Sequence, residues 1–280
     1  MAIKLYKPTT PGRRKSSVNK SDLTKKRPEK NLIFFKKRSG GRNAQGKITV
    51  HHRGGGAKRY VRIVDFRRNR YDLPAKVLTF EYDPNRSANI ALIQYEDGKK
   101  SYILVPQGLE IGNEVISSKG KVPIKTGNRT ILENIPVGEM IYNIELSPEA
   151  GGKIVRGAGM GATLMGLEGD YAQIKLPSSE IRLVLKTCSA SIGVMGNSEY
   201  ALVRIGLAGR KRHMGIKPTV RGKAKNPVDH PHGGGEGNTP IGLKHPKTPW
   251  GKPALGIKTR RKKKASNRLI IQRRKRKRRK

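Results

Sequence analysis

With a single cysteine, Cys188, in 280 residues, the chain can build neither an intramolecular disulfide nor a Cys-based zinc site, which excludes stapled secreted scaffolds and zinc ribbons and suits a reducing compartment. Long apolar runs are also missing: no stretch approaches the roughly 18 residues a membrane span needs. The start Met1-Ala2-Ile3-Lys4-Leu5-Tyr6-Lys7-Pro8 lacks the apolar core of a secretory signal. Pro8 and Pro11 interrupt the amphipathic helix that a transit peptide around Arg13, Arg14, Ser16 and Ser17 would need. No helix-turn-helix, homeodomain or zinc-finger pattern is present, which weakens sequence-specific reading of DNA. Acid is scarce beside base, with 20 Asp and Glu against 61 Lys and Arg. A net charge of +41 repels itself, so a polyanionic partner is expected.

What is abundant is unevenly placed. Residues 1–60 hold 18 basic and 2 acidic side chains, residues 61–200 hold 17 and 16, and residues 201–280 hold 26 and 2. Two basic ends therefore flank a near-neutral middle whose size suits one or two small domains. With 33 glycines and 17 prolines, the chain is too loop-rich for one uniform globule.

The middle reads as β-structure. Val61–Phe66, Ala75–Tyr82, Asn89–Tyr95 and Ser101–Val105 each place β-branched or aromatic residues on one parity. Asp97-Gly98 reads as a two-residue hairpin turn and Asp83-Pro84-Asn85 as a second reversal. The same grammar resumes in Ile141–Leu146, Thr163–Met165, Ala172–Leu176 and Ile181–Leu185. Short strands at roughly ten-residue spacing, without a long helical period, indicate small all-β barrels. Two fit: an OB-like barrel over residues 60–124 followed by an SH3-like barrel over 125–200, between basic extensions over 1–59 and 201–280. Met160, Met165 and Met195 read as core filler and Cys188 as an inert buried thiol.

The extensions alternate charge with glycine. Arg13 and Arg14, Arg42 after Gly40-Gly41, Arg53 before Gly54-Gly55-Gly56, and then Lys58 recur without a helical face, a pattern that lets backbone and cations follow phosphates along an irregular groove. Residues 258–280 carry fifteen Lys or Arg, Arg260 and Arg261 among them, and no acid. Such a tail alone in water should be disordered, although Leu32–Phe35 and Leu269-Ile270-Ile271 imply local docking. A membrane surface fits less well, because no segment has the apolar face of an interfacial helix. Folded RNA, recognised through shape and backbone, fits best.

Between Gly215 and Gly237 the chain passes Pro218, Arg221, Pro227, Asp229, His230, Pro231, His232 and six glycines, which forbids long helix or strand. Three readings compete there. Asp229, His230 and His232 could bind a metal, though they lack a thiolate and helical spacing. Asp229 and His230 could serve acyl transfer, though no G-x-S-x-G elbow is present. Imidazoles and bare glycine backbone, with Arg221, could instead contact nucleotides.

The runs Lys7–Arg14, Ser39–Asn43, Ile63–Arg68, Glu81–Leu92, Pro218–Gly222, Asn226–Gly237 and Thr248–Gly251 resemble, in order and over nearly the whole chain, the second-numbered protein family of the bacterial large ribosomal subunit. The resemblance implies a cytoplasmic, ribosomal, non-enzymatic RNA-binding protein with an OB-like and an SH3-like barrel. Its extensions would thread large-subunit rRNA near the peptidyl-transferase region. It further implies roles in assembly and in subunit association through small-subunit rRNA, contacts with neighbouring ribosomal proteins, and indirect support of tRNA binding and peptide-bond formation. Arg68, Arg70, Arg86 and Arg156 match the family's RNA-binding positions, and His230 matches the loop residue associated with peptidyl transfer. No cofactor is implied; Mg²⁺ or K⁺ bridging Asp229 or Glu236 to phosphate stays open.

Overall fold

The computed structural model describes residues 3–20 and 23–274. Its strands are β1 (Ile3–Leu5), β2 (Ser17–Asn19), β3 (Ile33–Phe35), β4 (Tyr60–Arg62), β5 (Ala75–Glu81), β6 (Ile90–Tyr95), β7 (Lys100–Leu104), β8 (Glu114–Val115), β9 (Arg129–Ile131), β10 (Met140–Tyr142), β11 (Ala162–Glu168), β12 (Tyr171–Lys175), β13 (Ile181–Leu185), β14 (Ser189–Ile192) and β15 (Ile270–Gln272). Two short α-helices, α1 (Pro11–Arg14) and α2 (Ala208–His213), complete the regular structure apart from 3₁₀ turns. The chain divides into two compact units: residues 1–37, 58–207 and 268–280 form the first, and residues 38–57 and 208–267 the second.

Unit 1 is mainly β and contains an OB-like barrel followed by an SH3-like barrel. The first is built on the antiparallel order β7-β6-β5-β8, and the second on the seven-stranded order β15-β13-β12-β11-β10-β14-β9. Alternation decides which side chains face inward. In β5, Ala75 and Val77 are buried and Lys76 is exposed, while in β12 Ala172 and Ile174 are buried between exposed or half-buried neighbours. Leu132, Ile135, Ile141, Ile144, Leu164, Ile174 and Ile192 fill the second barrel. Burying an aliphatic side chain of this size contributes roughly 1.5–3 kcal/mol. Val77, Ile93, Ile103 and Val115 fill the first barrel, and a further cluster packs Ile90, Leu92, Tyr102 and Leu104 with Tyr142 and Met195, so the two barrels share apolar contact.

Three details depart from the sequence expectations. The Asp97-Gly98 hairpin is a three-residue loop: Gly98 N–H donates to Tyr95 O, Tyr95 N–H donates to Lys99 O, and Gly98 sits at φ +77°. That is a turn closed by a left-handed glycine, the next commonest hairpin solution. The extensions, read as irregular, supply strands. β1 pairs β2, β3 pairs β4, and β15 pairs β13, so Ile270–Gln272 of the basic tail is ordered as a sheet edge. Here paired backbone and the half-buried Ile270 oppose the mutual repulsion of the tail's cations; residues 275–280 lie outside the described residues. Met195 is fully buried, but Met160 and Met165 stand 44% and 45% exposed and are not core filler. Cys188 is buried, and burial pushes its thiol up to about 11, which keeps it protonated and unreactive.

Candidate nucleic-acid interface

The cations named from sequence fall into three physical situations. Arg68 is the correction. It is 3% exposed, its Nη1 donates to Gly127 O at 2.6 Å, its backbone N–H donates to Asp65 Oδ1, and burial lowers its pKa. A guanidinium spent on internal carbonyls has no face left for RNA, so Arg68 holds the barrels together. A charged residue inside a basic run reads as surface, and nothing in Phe66-Arg67-Arg68 marks which arginine turns inward. Arg67, beside it, is the exposed one.

Arg70, Arg86 and Arg156 are half-buried and anchored on aromatic rings. Arg70 stacks 4.9 Å from the Tyr95 centroid and pairs with Asp97 at 2.7 Å; that hydrogen bond holds the Asp97 carboxyl below its usual range. Arg86 Nε reaches the buried Asp83 Oδ2 at 2.6 Å, closing the turn that Asp83 also caps through Asn85 N–H. Arg86 and Arg156 both lie over Phe66, at 5.4 and 4.4 Å. Arg156 has a lowered pKa, from partial burial first and Arg86 second. Two guanidiniums sharing one ring, with one carboxylate between them, leave an excess positive charge for a phosphate. The residue before Arg156, Val155, sits at φ +54°, a conformation costly for a β-branched side chain. Sequence reasoning missed Phe66 and Tyr95 as platforms, because each ring lies 20 residues or more along the chain from the arginines stacked on it.

A cleft of about 450 Å³ beside Arg70 is lined by Glu29, Asp65, Tyr95, Lys99 and Lys100. Lys100 pairs with Glu29 at 3.4 Å, so the cleft's cations are already offset by acids.

The other unit 1 cations named from sequence, Arg13, Arg14 and Lys58, are exposed. Thr10 accepts from Arg13 N–H as the cap of α1, and Pro11 suits its first turn; the helix presents Arg14 to solvent and Arg13 over the Tyr6 ring at 5.0 Å. Lys58 stands over Phe35 at 4.9 Å.

Unit 2 carries 20 Lys and Arg against 2 acids in its 80 residues. Arg42 folds back on Gly46 O at 2.8 Å, Arg53 bridges Ile216 through backbone, and Arg221 precedes the 3₁₀ turn Gly222–Ala224. Arg260 Nε donates to Asn267 Oδ1 and its Nη2 to Ser266 Oγ, while the carbonyls of Arg261 and Lys262 accept from Asn267 Nδ2. Arg42, Arg53, Arg221, Arg260 and Arg261 are all exposed. Trp250, 63% exposed, lies 5.3 Å from the His51 ring.

The glycine- and histidine-rich loop is ordered by itself. Asp229 and His230 N–H both donate to Asn226 O, and Gly233 N–H donates to His230 O. His230 Nδ1 accepts from His232 N–H at 3.0 Å, and His232 Nε2 accepts from Lys247 N–H at 2.7 Å. Both imidazoles therefore use one ring nitrogen as an acceptor. The His230 ring is 8% exposed; desolvation chiefly, then His232 and Lys225, lower its pKa. The glycines are steric requirements: a Cβ on Gly222 would meet the His230 ring at 2.6 Å, and one on Gly233 would meet Asn226 O at 2.3 Å. Asp229 is exposed. Among the described residues no group of three or more His, Cys, Asp or Glu is placed to hold a metal, and no helix is long and apolar enough to cross a membrane.

Residues 29–117 match the family model for ribosomal proteins L2, RNA binding N-terminal domain, and residues 125–251 match the model for ribosomal proteins L2, C-terminal domain. The chain belongs to this family. It is thus a ribosomal, RNA-binding protein of the large subunit. The first family domain spans β3 through Arg70 and Arg86; the second takes in Arg156, the histidine loop and Trp250. The family role is structural RNA binding.

Proposed function

We propose that the chain neutralises and positions large-subunit rRNA near the peptidyl-transferase region. It thereby supports subunit assembly, association with the small subunit through its rRNA, tRNA binding and, indirectly, peptide-bond formation. Arg13, Arg14, Lys58, Arg70, Arg86 and Arg156 would direct the barrels and their N-terminal extension onto the backbone. Arg42, Arg53, Arg221, His230, His232, Arg260 and Arg261 would line the path of the extensions, with neighbouring ribosomal proteins beside them. The observation that carries this reading is the 20-to-2 imbalance of unit 2, in which Arg42 and Arg260 stand exposed and bond to a backbone carbonyl and to the Asn267 amide. Each phosphate contact releases counterions, so about ten contacts give a slope of log affinity against log salt of about −7 to −9. Filter binding of the full chain to an rRNA fragment measures it; a slope of about −1 to −2 would sink the proposal.

A direct catalytic role for His230 is the second reading, because its imidazole is held neutral as a base must be. Its Nδ1, however, is already engaged by backbone. We therefore assign it to shaping the loop. His230→Gln should leave single-turnover peptide transfer by assembled particles within about tenfold, or about 1.4 kcal/mol; a loss of several orders of magnitude with assembly intact would favour the base.

A further inference from the structure

The ribbon formed by β3 and β4 carries two rings that its own packing leaves in water. Phe35 lies directly opposite Tyr60 in the antiparallel register, and the rings meet edge-to-face at 6.3 Å. They remain 54% and 44% exposed. Lys58 Nζ stands 4.9 Å from the Phe35 centroid and 5.7 Å from the Tyr60 centroid. Ile33 and Arg62 continue the same face, since they pair two positions away. A cross-strand aromatic pair stabilises a ribbon, but that role leaves the outward ring faces unused. The surrounding sequence, residues 30–64, contains no acid, and Lys30, Lys36, Lys37, Lys58, Arg59 and Arg62 belong to the same unit as the rings.

We infer that Phe35 and Tyr60 form a stacking platform for unpaired RNA bases, with Lys58 moving from the rings to the adjoining phosphate. Charge complementarity selects the occupant. An acid-free basic strip repels a basic protein partner and attracts a polyanion, while a bare ring selects a base released from its helix over the closed stack of a duplex. The platform rests on the RNA-binding reading above and adds a preference for single strands at one place in the fold.

A short single-stranded RNA carrying 4-thiouridine, irradiated with the full-length protein and mapped by mass spectrometry, tests it. Adducts at Phe35 or Tyr60 are expected. The Phe35→Leu/Tyr60→Leu double variant keeps apolar bulk and should bind that RNA about tenfold or more weakly, with less than a twofold change on an RNA duplex of equal length. Equal losses on both RNAs would overturn the platform. So would RNA-bound wild-type protein with adducts elsewhere and none at either ring, the result expected if the ribbon seats a neighbouring protein. Wild-type protein that binds neither RNA would instead defeat the RNA-binding reading, and the platform with it. Should the double variant fail to fold, the wild-type adduct map decides alone.

Discussion

Unit 1 and unit 2 solve the problem of holding a chain in place by opposite means. Every buried apolar side chain among the described residues lies between Val64 and Met195, inside unit 1. Unit 2 buries none; its most enclosed side chain is His230, and its order comes from backbone hydrogen bonds, tight glycines and imidazole acceptors. The barrels exclude water by themselves. Unit 2 is tied by backbone hydrogen bonds but leaves most of its cations exposed, so its remaining favourable free energy has to come from a polyanion.

The contrast is sharpest at the buried pair in the second barrel. Arg129 Nη2 meets Glu145 Oε1 at 2.9 Å with both side chains 2% exposed, Arg129 Nη1 donates to Asn143 O, and Glu145 also accepts from Gly151 and Ser189 N–H. Glu145→Ala strands a buried guanidinium and should cost about 3–5 kcal/mol in urea unfolding of the full chain; a cost below about 1 kcal/mol would mean that water reaches the site. Next in size, Ile141→Ala in the barrel core should cost about 2–5 kcal/mol. Leu255→Ala in unit 2, where the side chain is 82% exposed, should stay within about 0.5 kcal/mol. Similar values for the two would erase the distinction between the units.

The smallest effect is the titration of the loop. The fold favours neutral His230, so the stability it contributes is present above the ordinary imidazole pKa of about 6.5 and is lost as pH falls through the depressed native value. NMR titration of its ring protons should give a midpoint below that of a free imidazole. A midpoint at or above it would show that the His232 N–H is not held by Nδ1.

Alternation made the barrels legible, because β-branched residues on one parity mean the same thing in any sheet. Ile181–Leu185 is read and observed with the same ends. The tail strand was not legible as such: three residues, Ile270–Gln272, are too few to show a period, and their partner lies far away in sequence. Arg68 was misread because a charge inside a basic run carries no sign of burial. Arg86 matches an RNA-binding position of the family, and the structure also shows it closing the Asp83 turn, which its place three residues after Asp83 could have suggested. Met160 and Met165 were misassigned because methionine suits both core and surface. The histidine loop was legible as special from its glycines and prolines. Which imidazole nitrogen accepts depends on Lys247, fifteen residues downstream of His232, and no local pattern reports that.

The pairing of β15 with β13 has a consequence in time. About 85 residues separate the end of β13 from the start of β15, so closing that interval costs about 4 kcal/mol of chain entropy. A growing chain made at about 5–20 residues per second leaves this side of β13 without its neighbour for about 4–17 seconds. During that wait the Leu183 N–H, which later donates to Leu269 O, belongs to an open edge able to recruit another strand. The last described strand of the tail is thus also the one that ends the second barrel's exposure during synthesis.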